Sequence, residues 1–111
     1  MIYKLLAGAE WAEAEAQGRY EGSAVDRQDG FIHLSGREQV VETAARHFAG
    51  EADLVLLTVD PDRLDELRWE PSRGGSLFPH LYGPLPVNAV LSAIPVPAHL
   101  PVPEAVAALL G

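Results

Sequence analysis

Apolar and polar positions along the chain change period several times, and each change marks an element. Met1 to Leu6 (MIYKLL) alternates weakly and reads as a strand. Ala9 to Gln17 is rich in alanine and glutamate, both strong helix formers, with Trp11 as the core anchor and Gly18 as the stop. Arg19 to Asp29 is polar and reads as a loop or short strand, and Phe31 to Ser35 (FIHLS) as a short strand. Ser35-Gly-Arg-Glu38 has the spacing of a capping box, in which the serine oxygen accepts a backbone N–H three residues on. Val40, Val41, Ala44, Ala45 and Phe48 then recur at helical spacing, and Gly50 closes that second helix.

Asp53 to Asp60 (DLVLLTVD) is the clearest strand, a leucine and β-branched run halted by Pro61, and its unbroken apolar character predicts burial on both faces. Leu67 to Glu70 alternates like a further strand, and residues 71–76 (PSRGGS) form a turn. Leu77 to Tyr82 is extended, because Pro79 and Pro84 disfavour helix before them. Ala89 to Val96 is a last strand and Glu104 to Leu110 a short terminal helix. The sum is an α+β fold of about five or six short strands and two main helices.

The 111 residues make one domain, 1–111. A folded chain of this mass keeps roughly 6,000 Å² exposed out of roughly 17,000 Å² unfolded, enough burial for a core without staples. The chain has no cysteine, which excludes disulfides, a thiolate nucleophile and cysteine zinc sites and fits a cytoplasmic protein. The opening MIYKLLAGAEWAEAE lacks a signal-peptide pattern, and no stretch reaches the roughly 20 apolar residues of a membrane span. A formal charge of −8 argues against a broad nucleic-acid footprint, although a small anion pocket stays open. All eight Lys and Arg lie between Lys4 and Arg73, and eight of nine prolines fall from Pro71 onward. That last third, almost uncharged, must lie against the rest of the fold.

Side chains capable of chemistry gather in two motifs. In Gly30-Phe-Ile-His33-Leu-Ser35, a two-residue period puts Phe31, His33 and Ser35 on one face and Ile32 and Leu34 on the other. An isolated, backbone-bonded strand histidine and a helix-capping serine would look the same. In Phe78-Pro79-His80-Leu81-Tyr82-Gly83-Pro84, His80 and Tyr82 share a face on a backbone stiffened by proline. A rigid turn carrying an exposed tyrosine hydroxyl is the plainer reading. Glu70 ends a strand from which a carboxylate could enter a cleft, and Arg73 sits in a glycine-flanked loop where it could clamp an anion. His47, in the last helical turn, complements the helix dipole. Phosphate-loop, dinucleotide and HExxH patterns are missing, the HLSGRE context lacks the serine-hydrolase GxSxG, and the histidine spacing gives a metal site no specific support.

GFIHLS and FPHLYGPLP, joined by LVLLTVD and by a tryptophan–glutamate pair before the glycine loop, resemble a small bacterial family, domain of unknown function 952. The opening IYK strand and tryptophan-containing helix are similar to that family's start. The match spans about residues 1–97, with Ala98 to Gly111 an individual extension. The resemblance implies small, split, mostly antiparallel sheets of the ADP-ribosyltransferase-like kind around a cleft for NAD⁺ or a similar ligand. It implies that His33 contacts a ribose, that Ser35 supports the nicotinamide, and that Glu70 is the candidate carboxylate for orienting the transferred group. His80 and Tyr82 have no assured counterpart, and the arginine set of the RNA 2′-phosphotransferases is not evident.

Three readings stand together. The first is an enzyme acting on NAD⁺ or another nucleotide by ADP-ribosyl-type transfer. In it Glu70 and His80 are catalytic, while His33, Ser35, Tyr82 and Arg73 bind the ligand, with Tyr82 stacking on its ring. The second is a non-catalytic small-ligand sensor. The third is a protein-interaction domain, which predicts an exposed apolar patch formed by Ala105, Val106, Leu109 and Leu110 of the terminal helix.

Overall fold

The apolar run from Leu54 to Val59 becomes a central strand, buried along almost its whole length, and the other elements assemble on its two faces. The computed structural model describes residues 1–111, the side chain of Arg73 excepted. Chain order is β1 (Ile2–Ala7), α1 (Gly8–Gln17), β2 (Arg19–Tyr20), α2 (Ala24–Asp29), β3 (Ile32–His33), β4 (Ser35–Gly36), α3 (Val40–His47), β5 (Leu54–Val59), β6 (Leu67–Pro71), β7 (Leu77–Leu81), β8 (Leu85–Pro86), β9 (Val90–Pro95) and α4 (Val102–Leu110). The strands form a four-stranded sheet in the order β4–β1–β5–β9, a three-stranded sheet β3–β7–β6 and a two-stranded pair β2–β8. All these pairings are antiparallel, so the class is α+β with four helices.

Alternation along β1 divides the core. Tyr3 and Leu5 join Leu56 against α3 and α4, packing with Val40, Ala44 and Val106. Ile2 and Leu6 join Val55, Leu57 and Val59 on the opposite face, against Trp11 and Ala14 of α1, Tyr20, Ile32, Leu81 and Leu85. Lys4 falls on this second face by the same alternation and is carried indoors with it, only 8% exposed. Together these layers leave 6120 Å² of surface exposed, close to the size-scaling expectation.

The almost uncharged last third does lie against the fold. Ala105 and Val106 of α4 are fully buried, with Leu109 and Leu110 packed beside them on the α3 cluster. This corrects the expectation of an exposed terminal-helix patch: those side chains complete the core instead. Among the described residues no helix is long and apolar enough to cross a membrane.

Three local expectations also change. Residues 19–29 are not a simple loop, because they hold β2 and the whole of α2. The strand read over Phe31–Ser35 breaks at Leu34 into β3 and β4, which belong to different sheets. The capping box expected at Ser35 and Glu38 does not form. Gln39 is the residue before α3, and its side-chain oxygen accepts from the backbone N–H of Gly36 at 2.9 Å while its amide donates to the Leu77 carbonyl at 2.7 Å. The capping box is instead at Ser23 and Asp26, at the start of α2.

Truncating Leu57, fully buried at the centre of the larger cluster, is expected to cost about 3 kcal/mol in Leu57→Ala. Leu91→Ala, at an exposed position on β9, should stay within about 0.5 kcal/mol of the parent. Urea denaturation of the two variants checks the contrast, and similar losses would contradict this core.

Candidate functional site

Asp26 is the residue around which the site is built. The serine that caps α2 accepts from the Asp26 backbone N–H at 3.2 Å, and the Asp26 carboxylate returns the contact by accepting from the Ser23 N–H at 2.9 Å. Gly22 makes the geometry feasible: its φ is +103°, and a Cβ there would sit 2.8 Å from the Asp26 Cβ. The helix ends at Gly30, also left-handed at φ +86°, which turns the chain directly into β3. The turn brings His33 back over Asp26.

The Asp26 carboxylate is 3% exposed and meets four donors. Oδ1 accepts from His33 Nδ1 at 2.6 Å and from the His33 backbone N–H at 3.1 Å. Oδ2 accepts from the Ser23 N–H and pairs with Lys4 Nζ at 3.3 Å. Burial by itself raises the pKa of this carboxyl, but the His33 hydrogen bond, the Lys4 charge and the two backbone N–H groups outweigh it and hold the group well below the usual carboxylate range. Lys4 responds the opposite way, because burial pushes its ammonium below the ordinary lysine value and Asp26 only partly offsets this. Lys4 Nζ also donates to the His33 carbonyl at 2.9 Å and lies 5.8 Å from the Tyr20 ring centroid. Tyr20 donates its hydroxyl to Glu10 at 3.2 Å, and burial, with Asp26 and Glu10 nearby, raises its pKa strongly.

The second motif forms a matching dyad one strand away. Register pairs His33 with His80 directly, so both rings project from one face of the β3–β7–β6 sheet, a juxtaposition that the period within each motif did not predict. His80 Nδ1 lies 2.9 Å from Glu70 Oε1, and Tyr82 donates its hydroxyl to the same oxygen at 2.6 Å. These two hydrogen bonds, Tyr82 first, lower the Glu70 pKa, and the same contact raises that of Tyr82. Phe31 joins the dyads: its ring stacks on His80 at 4.1 Å and also touches the rings of His33 at 4.6 Å and Tyr82 at 5.2 Å. The two imidazoles meet edge to face with centroids 5.8 Å apart.

A cleft of about 620 Å³ opens beside them, bordered by Lys4, Asp26, His33, Ser35, Thr43 and His80. That volume is ordinary for a small-ligand site. Its wall also carries the carboxylates of Glu10, Asp29 and Glu51. Of the sequence-chosen residues, His33, Ser35 and His80 therefore share one cavity. Glu70 and Tyr82 stand behind His80 and are not part of the cleft wall, and Arg68 covers the Tyr82 ring at 4.9 Å. The side chain of Arg73 lies outside the described residues. His47, expected only to complement the α3 dipole, also borders the cleft.

Ser35 Oγ is hydrogen-bonded to Thr43 Oγ1 at 3.0 Å, whereas the free edge of His33 faces Asp29, with Nε2 2.9 Å from Oδ2. Among the described contacts, then, serine and histidine are not joined in a nucleophilic relay. The described residues also hold no group of three or more histidines and carboxylates placed to bind a metal ion. Several site residues escaped the sequence reading: Asp26, Lys4 and, on the cleft wall, Glu10, Asp29, Thr43 and Glu51. Asp26 carried a signal, the Ser23-x-x-Asp26 capping spacing, masked by the polar stretch around it. Lys4 carried none beyond being a single cation inside an apolar strand.

Asp26→Asn removes a buried charge from Lys4 and His33 and is expected to lower stability by about 3–5 kcal/mol at neutral pH. Because the folded-state pKa of Asp26 is depressed, its contribution is complete above the unfolded carboxylate value, about pH 4, and disappears as pH falls toward the folded value. The stability gap between parent and variant should thus narrow in acid, measured by denaturant unfolding between pH 7 and pH 2. A constant gap would contradict the charge assignment.

The crystal structure of protein CC0527 from Caulobacter crescentus is 58% identical, with 86% of this chain and 85% of that chain covered and a TM-score of 0.84. The solution NMR structure of CC0527 is 56% identical, covers 93% of this chain and 90% of that one, and has a TM-score of 0.79. No curated protein matches the chain. A family model described as "Protein of unknown function (DUF952)" matches residues 5–93, a span that takes in both histidine motifs, Lys4's neighbours and Asp26. The chain belongs to the DUF952 family.

Proposed function

We propose that the protein binds a nucleotide-class small molecule in the cleft at His33, with NAD⁺ the first candidate, and presents that ligand's uncharged or cationic end to the two histidines. The observation that carries this reading is the charge of the cleft wall around a firmly held imidazole. Glu10, Asp26, Asp29 and Glu51 border the cleft, while its lysine, Lys4, is already paired with Asp26. Such a wall repels a pyrophosphate and favours a nicotinamide–ribose end, whose ring is cationic. In ADP-ribosyl-type transfer, positive charge builds at the ribose carbon, and fixed carboxylates stabilise it. His33 would hold the ribose and Ser35 the amide, as the family resemblance implies.

One observation favours the non-catalytic sensor as a second reading. Glu70, the carboxylate assigned to transfer, is held by Tyr82 and His80 behind the cleft wall, so it acts on a ligand only through His80.

Titration calorimetry against NAD⁺, ADP-ribose, nicotinamide and a nucleotide panel tests the proposal. Saturable binding is expected, weakened by about tenfold or more in His33→Ala, the loss of one charge-assisted hydrogen bond. Binding without turnover, unchanged in Glu70→Gln, would support the sensor. No binding across the panel would remove the nucleotide reading.

A further inference from the structure

The two carboxylate-backed histidines differ in one respect that bears on chemistry. A carboxylate only accepts hydrogen bonds, so each ring nitrogen facing one carries its hydrogen. His33 faces carboxylates at both nitrogens, Asp26 at 2.6 Å and Asp29 at 2.9 Å, and the doubly protonated ring satisfies both. Among the described residues His80 faces a single carboxylate, Glu70, through Nδ1, and the neutral ring satisfies that contact with the Nε2 lone pair left over. One ring is set up to give a proton and its cross-strand neighbour to take one. Both border the same cleft, with centroids 5.8 Å apart, near enough to reach adjacent atoms of one small molecule.

We infer that this pair catalyses proton transfer within a neutral hydroxy-carbonyl compound, interconverting its aldehyde and ketone forms. The inference rests on the reading of the cleft as a ligand site, but it does not depend on that ligand being a nucleotide. The substrate class follows from the wall: among the described residues four carboxylates face two cations, Lys4 and the doubly protonated His33, a negative excess that disfavours an anionic group at the histidines, and the hydroxyls of Ser35, Thr43 and Tyr20 suit a hydroxylated partner.

The proton balance closes without a co-reactant. His80 Nε2 takes the hydrogen from the carbon that bears the hydroxyl, and the electron pair of that C–H bond forms the C=C bond. The carbonyl oxygen takes the Nε2 proton of His33, giving an enediol. His33, now neutral at Nε2, then removes the proton of the original hydroxyl, and His80 returns its proton to the former carbonyl carbon. Both rings end as they began, and the carbonyl has moved by one carbon.

Asp29 occupies His33 Nε2 at rest and is 44% exposed at the end of α2, so substrate must displace it. Asp26 and Glu70 act as positioning residues, fixing which nitrogen of each ring faces the cleft. Phe31, stacked on His80 and tilted on His33, sets the angle between the rings.

The test uses the full chain with glyceraldehyde and dihydroxyacetone as probes in D₂O, following interconversion and carbon-bound deuterium by NMR. Wild type is expected to exceed free imidazole at equal concentration by about 100-fold or more, the lower range for a positioned acid or base. His33→Gln, at a half-exposed position, should lose nearly all of that excess, and adding His80→Gln should lose little more, because the pair acts as a unit. Asp29→Ala should raise the rate at low probe concentration, a change that a purely structural role for His33 would not produce. Wild-type rates equal to free imidazole, or an undiminished rate in folded His33→Gln, would overturn the inference. Should His80→Gln fail to fold, the wild-type and His33→Gln rates decide the matter alone. Failure here alongside nucleotide binding by calorimetry would leave the ligand reading intact, and the reverse result would separate the two the other way.

Discussion

A single buried carboxylate holds the site together. Asp26 sits at the start of a six-residue helix too short to be stable alone, and four donors from three different elements converge on it. Ser23 ties it to the helix cap, His33 to the three-stranded sheet and Lys4 to the four-stranded one. Each donor offsets part of the cost of taking the charge out of water, and the cost explains why they are all present: a buried carboxylate with one donor fewer would draw back its proton or its solvent. The same contacts fix the orientation of His33, so stability and chemistry share one group.

Position in the fold accounts for the second dyad. Antiparallel register places His80 opposite His33, and β6 on the far side of β7 brings Glu70 within reach of the ring. Phe31 fills the space between, apolar and rigid, so the two imidazoles keep a set distance with no hydrogen bond between them. The result is an asymmetric pair, one ring bracketed by two carboxylates and the other held by one.

Much of the architecture was legible because its signals are local. The strand from Leu54 to Val59 shows its burial as an unbroken apolar run, α1 shows its length in alanine and glutamate, and alternation within each motif put Phe31 with His33 and His80 with Tyr82, while Ser35, grouped with the first pair, went to another sheet. Errors arose where two local signals competed. Serine, glycine and glutamate at 35–38 carry the spacing of a helix cap, yet Ser35 pairs with Tyr3 in the sheet and the helix starts after Gln39 with no side-chain cap. The real cap, at Ser23, was hidden because the helix it opens is short and polar.

By itself, the sequence determined the periodicities, the likeness to DUF952 proteins in both histidine motifs, and the need for the almost uncharged last third to find cover. Those depend on neighbours within a few residues, or on bulk composition. Tertiary structure alone decided that Lys4, Asp26 and His33 meet across 29 residues, that Ser35 bonds Thr43 rather than His33, and that Glu70 serves His80 from behind the cleft. Such contacts come from register and from a chain crossing between sheets at Leu34. A period along the chain shows which face a side chain takes, but not what the fold will place opposite it.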